Sequence, residues 1–457
     1  MPPPGLTRGP VIVDVIDILV AATDGCSPSP SASIGRVTNT ALDASYGALL
    51  RVPTLGRLIL GMQLARIAGS MVGIVMVLFA LGRYGSPALA GIVTFAAIFP
   101  GLLVSPIAGA LLDRHGRIRL VILDYVVALL ALVLIAALAI ADLLPAPLLV
   151  VIAAVSSLTL ALGQSGVRSL FPVLVPEHLW ERANAIDSNG YVVAQILGPP
   201  IAAGLFVVVG GPAALLAIAV TYGIAAAAMV GVADPASDAA SSGRLLRDAW
   251  DGLVYTWRNR TLRGLGFAIS AMNISGGMST VVIPLLVIDR LGLGAAAVGV
   301  PFALTGLAGM ASSLYVGRLD SRGREWAMLV YPAAAMVGAV ALLLPVAAAA
   351  PAGHPGAIDP AVGFGLLAAA SVMFGVLTGP LDIALFTVRQ RRTDQAWMGR
   401  AFAVSMSFNF LGYPIGAALG GALASQSFAA AIVLGMVACA ASAVFVATMV
   451  PRRDGDG

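Results

Sequence analysis

Charged side chains inside long apolar tracts give this sequence its means of doing chemistry, because hydrocarbon tolerates an ion only where it is paired or used. Arg66 lies nine residues after Arg57 in the apolar tract 55–81, roughly 13 Å along a helix that rises about 1.5 Å per residue. Asp382 lies in the tract 361–387, seven residues before Arg389, and so about 10 Å from that tract's basic end. Their similar depths would let the two face each other or a common ligand. Arginine is a fixed cation suited to an anionic or polar part of a substrate; a carboxylate can take up and release a proton, which arginine cannot. Structural alternatives stand beside these roles: Arg66 bonded to helix carbonyls, and Asp382 paired with Arg389 or Arg391. Gln63, Gln164, Asn273 and Asn409 are isolated polar residues in apolar surroundings, placed either to complete a cavity or to hydrogen-bond between helices. Arg168 reads as interfacial, and Asp124, five residues after Arg119, as a partner of the basic stretch that holds Arg114, Arg117 and Arg119.

Lipid is the solvent for most of this chain. Of its 457 residues 59% are hydrophobic and 11% charged, against about 25% charged in ordinary soluble domains. A spanning helix needs about 20 apolar residues, and continuous tracts of that length recur at 55–81, 87–111, 120–140, 147–171, 190–209, 212–232, 265–288, 296–316, 326–349, 361–387, 401–423 and 428–450. The fold class expected is therefore all-α and integral to the membrane, with twelve spans as two six-helix halves. Its divisions are a poorly ordered extension 1–50, a first half 51–232, a linker 233–264, a second half 265–450 and a tail 451–457. The run 11–22 in the extension, broken by Asp14 and Asp17, is too short to span; it is either a surface-lying segment or part of a loose tail or an over-extended gene start.

All 26 basic residues are arginine. Without lysine there is no P-loop and no Schiff base, which excludes ATP-driven transport by this chain alone. Cys26 and Cys439, with His115, His178 and His354 in loops, make no metal site. No constellation of His, Asp or Glu in the spans could assemble a catalytic site. Neither enzyme activity nor a cofactor is expected, and the partners are a small-molecule substrate and membrane lipid rather than nucleic acid, the chain acting as a monomer. Outside the spans every arginine but Arg83 and Arg290 falls on one side, so the positive-inside rule puts both termini in the cytoplasm of an inner (plasma) membrane protein. In the linker Leu246, Trp250, Leu253 and Trp257 recur at helical spacing, the pattern of an amphipathic helix on the inner surface.

Two repeats point to duplication. GALLDRHGRIR (109–119) reads as a short basic loop between two tracts, and GRLDSRGR (317–324) echoes it in the later half. Leu197-Gly198-Pro199-Pro200-Ile201 in the fifth tract matches Leu411-Gly412-Tyr413-Pro414-Ile415 in the eleventh, small residues and prolines that permit close, bent helix packing.

From 51 to 449 the sequence resembles a major facilitator superfamily transporter. Gly109, Asp113, Arg114, Gly116, Arg117 and Arg119 match the signature between that superfamily's second and third helices, and Asp320, Gly323 and Arg324 keep part of it. The stretch 167–200 is similar to the branch containing macrolide efflux proteins and the enterobactin exporter. The fourth-tract sequence TLALGQSG (159–166) lacks the arginine of proton-exchanging exporters, and the fifth-helix exporter motif persists only as Gly198-Pro199 followed by shifted small residues. The resemblance implies that Asp113 docks on the start of the eleventh span near Gly399 and Arg400 and latches the outward-open state; its alternative role is to set topology alone. It also implies that the first, fourth, seventh and tenth spans line a central cavity. The expected function is export of an amphiphilic small molecule; a lipid flippase, an uptake carrier and a non-transporting sensor are the alternatives. Since the second copy of the loop has Ser321 where Arg114 stands, Asp113→Ala is expected to lower transport, measured as substrate flux in vesicles, more than Asp320→Ala.

Overall fold

The computed structural model describes residues 46–234, 245–319, 321–394, 397, 404–405 and 407–452, with the side chains at 46, 50, 106, 109–110, 113, 172, 177, 181 and 245–249 excepted. The run 11–22, Asp320, the side chains of Gly109 and Asp113, and the region of Gly399 and Arg400 lie outside the described residues. Among those described, every regular element is helical apart from one isolated bridge between Ala350 and Ala357.

Among the described residues, eleven helices are long and apolar enough to cross a membrane. Six precede the linker: α1 (Leu55–Tyr84), α2 (Pro87–Ser105), α3 (Arg117–Ile140), α4 (Ala146–Phe171), α5 (Arg182–Val209) and α6 (Gly211–Met229). The linker carries α7 (Leu245–Arg258). Then come α8 (Arg260–Arg290), α9 (Ala295–Val316), α10 (Glu325–Ala348), α11 (Pro360–Arg391) and, closing the chain, α13 (Phe428–Met449). The expected span 401–423 is described only in part, chiefly as α12 (Gly412–Ala424). Local sequence sets several starts: Ser86, Asn259, Asp359 and Ser427 each accept a backbone N–H of the first turn through a side-chain oxygen, satisfying donors that hydrocarbon would leave orphaned. On α7 Trp250, Leu253 and Trp257 are exposed, the apolar face of a surface helix.

The stretch 109–119 is mostly not a loop. The helix of α2 runs on to His115 and α3 begins at Arg117, so the turn is Gly116 alone, at φ 91°, a conformation closed to residues with a Cβ. Asp234 ties the turn to the end of α6 by accepting from Ile118 N at 3.0 Å, and Arg117 donates to Ser169 O at 3.2 Å. In the echo, Gly323 has φ 75° and Arg324 stands immediately before the helix of α10.

The helix ends near Arg57, Gly116, Arg260, Arg391 and Arg452 form a basic end; those near Tyr84, Pro87 and Gly299 form the opposite, far end. The helices before and after the linker meet mainly through α2 with α12 and α5 with α9. These meetings lie toward the far end: Gly91 and Gly421 sit backbone to backbone, Gly299 lies against Pro199 and Pro200, and Gly306 faces Ile196. Within the second set, Gly416 rests on the backbone of Ile274 in α8, with no room for a side chain. Gly416→Val should therefore cost about 1–3 kcal/mol through overpacking and lower the melting temperature in detergent, whereas Gly365→Ala, where the space is open, should not.

Candidate functional site

Asp187 organises the site. The helix that carries it starts at Trp180, so Asp187 lies two turns inside, about 10 Å along. Arg66 reaches across from α1: its Nη1 donates to Asp187 O at 2.7 Å and its Nη2 to Asp187 Oδ1. Arg168 of α4 donates through Nε to Oδ2 at 3.2 Å. Both guanidiniums lie against the Tyr191 ring, with Cζ 3.8 Å and 4.8 Å from its centroid. Gln63 Nε2 donates to Gly190 O at 3.1 Å, and only glycine at 190 leaves room for Gln63 and Arg66. The side chains of Arg66 and Asp187 are 10% and 11% exposed, but that of Arg168 is 54% exposed, so Arg168 alone shows charge to the outside of the cluster.

The helices after the linker repeat this arrangement. Asn273 Nδ2 of α8 donates to Asn409 O at 2.8 Å, as Arg66 does to Asp187 O. With its amide turned to satisfy both neighbours, Asn409 accepts from Arg389 Nη2 at 2.7 Å and donates to Ser405 O at 3.1 Å. Arg66 thus corresponds to Asn273, Asp187 to Asn409, and Arg168 to Arg389, which is fully buried. The glycine contacts keep the same register: Gly190 lies against Gln63 and Gly412 against Ser270, while Gly198 lies against Ser70 and Met71 and Gly420 against Met278. Gly198 is therefore the counterpart of Gly420, and the matched strings at Gly198-Pro199 and Gly412 to Pro414 sit two turns apart. Short apolar strings recur readily in helices, so the resemblance in letters misplaced the register.

Other expectations change as well. Arg66 meets Asp187, not Asp382. Asp382 is partly exposed and, among the described residues, has no hydrogen-bonding or ionic partner. Arg391 pairs with Glu325 at 2.5 Å rather than with Asp382. Asp124 does not join the basic turn; it is buried beside Gly163 and Tyr125. Gln164 is exposed on α4 and Asn273 is half-buried in the second cluster.

Polar residues form one stripe on α5, Asn184, Ser188, Tyr191 and Gln195, spaced four, three and four apart, and another on α4, Gln164, Ser165 and Arg168. The α5 stripe lies between the side packed on α1 (Gly190, Gly198) and the side packed on α9 (Ile196, Pro199, Pro200), and so faces the space between the helices before and after the linker, the cleft of the molecule. By the equivalences above, Ser188 corresponds to Phe410, Ser165 to Phe386 and Ala161 to Asp382. Phe410 and Phe386 are exposed. The exposed residues at these matched positions are polar and cationic before the linker and aromatic after it. The two sets of helices touch toward the far end, at Gly91 with Gly421 and at Gly299 with Pro199 and Pro200.

The chain matches the Major Facilitator Superfamily over residues 58–354. It is 36% identical over 412 residues, 89% of this chain and 97% of the other, to the uncharacterized MFS-type transporter y4rN of Sinorhizobium fredii (strain NBRC 101917 / NGR234). Its fold is similar to that of a mutant of the nucleoside transporter NupG, with a TM-score of 0.65 at 12% identity over 87% of this chain and 98% of that one, a likeness of fold alone. The chain belongs to the major facilitator superfamily and is a multi-pass membrane transporter.

Sequence reasoning misses Asp187 because the continuous apolar tract begins only at Gly190, after the polar stretch. A cue was present: polar residues at 184, 188 and 195 continue the helical period of the apolar segment. Removing Asp187 leaves two guanidiniums facing each other, so Asp187→Ala should destabilise by about 3–5 kcal/mol, and adding Arg66→Met should restore part of that loss in thermal unfolding.

Proposed function

We propose that this protein is a secondary transporter that exports an amphiphilic small molecule of drug, antibiotic or siderophore-like character across the inner (plasma) membrane, in the manner of the macrolide-efflux and enterobactin-exporter branch. The chain acts as a monomer with twelve spans, six in 51–232 and six in 265–450. The linker 233–264 joins them, the extension 1–50 and tail 451–457 flank them, and both termini are cytoplasmic. The basic end is then the cytoplasmic one, and the cleft described above is the inward-open state.

The observation that carries this reading is the division of the cleft. One wall offers Arg168, Gln164, Ser188 and Gln195 and the other Phe386 and Phe410, so a ligand with a polar head and an apolar body satisfies both walls at once. A sugar, whose hydroxyls need partners all round, would leave groups unpaired against the phenylalanines. Export follows from the resemblance of 167–200 to the efflux branch. Asp382, partly exposed on α11 and without an ionic partner among the described residues, is the carboxylate that exchanges protons; Asp113, in the last turn before Gly116, latches the inner side with Arg114 and Arg117, and Asp320, Gly323 and Arg324 form the weaker latch.

Inside-out vesicles carrying the protein should accumulate an amphiphilic substrate of this kind, such as an acidic catechol siderophore, when a proton gradient is imposed with the lumen acidic. Asp382→Asn should remove the dependence on the gradient while substrate binding persists. Net movement out of the lumen would reverse the direction proposed, and gradient-driven accumulation unaffected by Asp382→Asn would exclude the coupling role.

A further inference from the structure

We infer that Arg168 is the docking point for an anionic group, so that the ligand of the cleft is a small amphiphilic organic anion bearing a carboxylate or a phosphate. The inference rests on the transport reading only in taking the cleft as the path of the substrate. Its support is the charge and hydrogen-bond inventory of the Asp187 cluster. Two guanidiniums share one carboxylate, so one positive charge is left over. Arg66 is consumed: one nitrogen bonds the main-chain oxygen of Asp187, the other its Oδ1, and the ring of Tyr191 covers its face. Arg168 gives only Nε to Asp187. Its Nη1 and Nη2 have no protein partner among the described residues, and the side chain is 54% exposed beside Gln164 and Tyr191.

The second cluster acts as an internal control. There the same three-helix junction is built with Arg389 wholly buried and bonded to a neutral Asn409. Joining the helices therefore does not require an exposed guanidinium, and the exposure of Arg168 belongs to the cleft rather than to the junction. A planar guanidinium edge with two free nitrogens is the geometry that takes a carboxylate or phosphate through paired hydrogen bonds. Ser188 and Gln195 offer neutral hydrogen bonds on the same wall, while Phe386 and Phe410 opposite receive an apolar body.

The test measures binding by the purified full-length protein in phosphatidylcholine nanodiscs as a shift in melting temperature. The probes are salicylate and phenyl phosphate, with salicylamide and benzylamine as uncharged and cationic counterparts. The two anions should stabilise the wild type and their counterparts should not. Arg168→Gln should weaken the anions' apparent affinity by about ten- to hundred-fold, as loss of hydrogen bonds to a charged group does, and Arg168→Lys should retain part of it. Gln164→Glu, four residues earlier on the same helix face, supplies an internal carboxylate to Arg168 without altering that residue; it should abolish the shift even if Arg168→Gln folds poorly. Equal stabilisation by salicylamide, shifts that survive both Arg168→Gln and Gln164→Glu, or no shift with either anion would overturn the inference. So would a site filled by lipid, seen as Arg168-dependent stabilisation by phosphatidylglycerol in the nanodisc with no response to either soluble anion. Anion binding without export in vesicles would defeat the transport reading and leave this one standing; export of neutral compounds, indifferent to Arg168, would do the reverse.

Discussion

Asp187 joins three helices through one side chain and its own main-chain oxygen. Arg66 enters from α1 and Arg168 from α4, and the carboxylate on α5 gives one oxygen to each. An unpaired ion at this depth would cost several kcal/mol, so the pairing is what makes Arg66 tolerable inside an apolar helix. It also sets the relative height of α1, α4 and α5, because a shift of one turn in any of them would break a charged contact. The excess positive charge then appears on the member with the least to do inside the cluster, Arg168, which faces the cleft.

The same junction after the linker reaches its geometry with less charge. Asn273 and Asn409 replace the ion pair with amide hydrogen bonds, and Arg389 is withdrawn from solvent. The two junctions hold their helices alike, yet the surfaces beside them diverge: where one presents Ser165 and Ser188, the other presents Phe386 and Phe410. A symmetric scaffold thereby carries an asymmetric cleft. Packing at the far end does not depend on charge at all. Gly91 and Gly421, and Gly299 with the Pro199–Pro200 backbone, bring helices together by the absence of side chains.

The basic turn shows a third principle. Its one non-helical residue, Gly116, allows α2 and α3 to reverse direction within a single residue, and Asp234, just beyond the neighbouring α6, caps the new helix. Arg117 is drawn to Ser169 on α4. The turn is thus fastened to α4 through Ser169 and to the start of the linker through Asp234.

Much of this was legible in the letters. Long apolar tracts, sparse charge and arginines gathered mostly on one side compel a multi-pass helical protein, because backbone in hydrocarbon must bond to itself and few residues there can be ionised. The unusual cost of Arg66 and Asp382 in a span also marked them before any contact was known. What the letters could not give was the partner of each. Asp187 sits in a stretch polar enough to read as a loop, and only the packing of α1, α4 and α5 shows it to be two turns inside a helix. Likewise the strings around Gly198 and Gly412 look equivalent in sequence, while the contacts with Met71 and Met278 fix a register two turns away. Sequence alone determined which solvent each segment would occupy, since hydrophobicity is a property of the residue. Tertiary structure decided which charges meet and which remains exposed, since pairing depends on the heights and rotations of three helices, which no one helix's sequence contains.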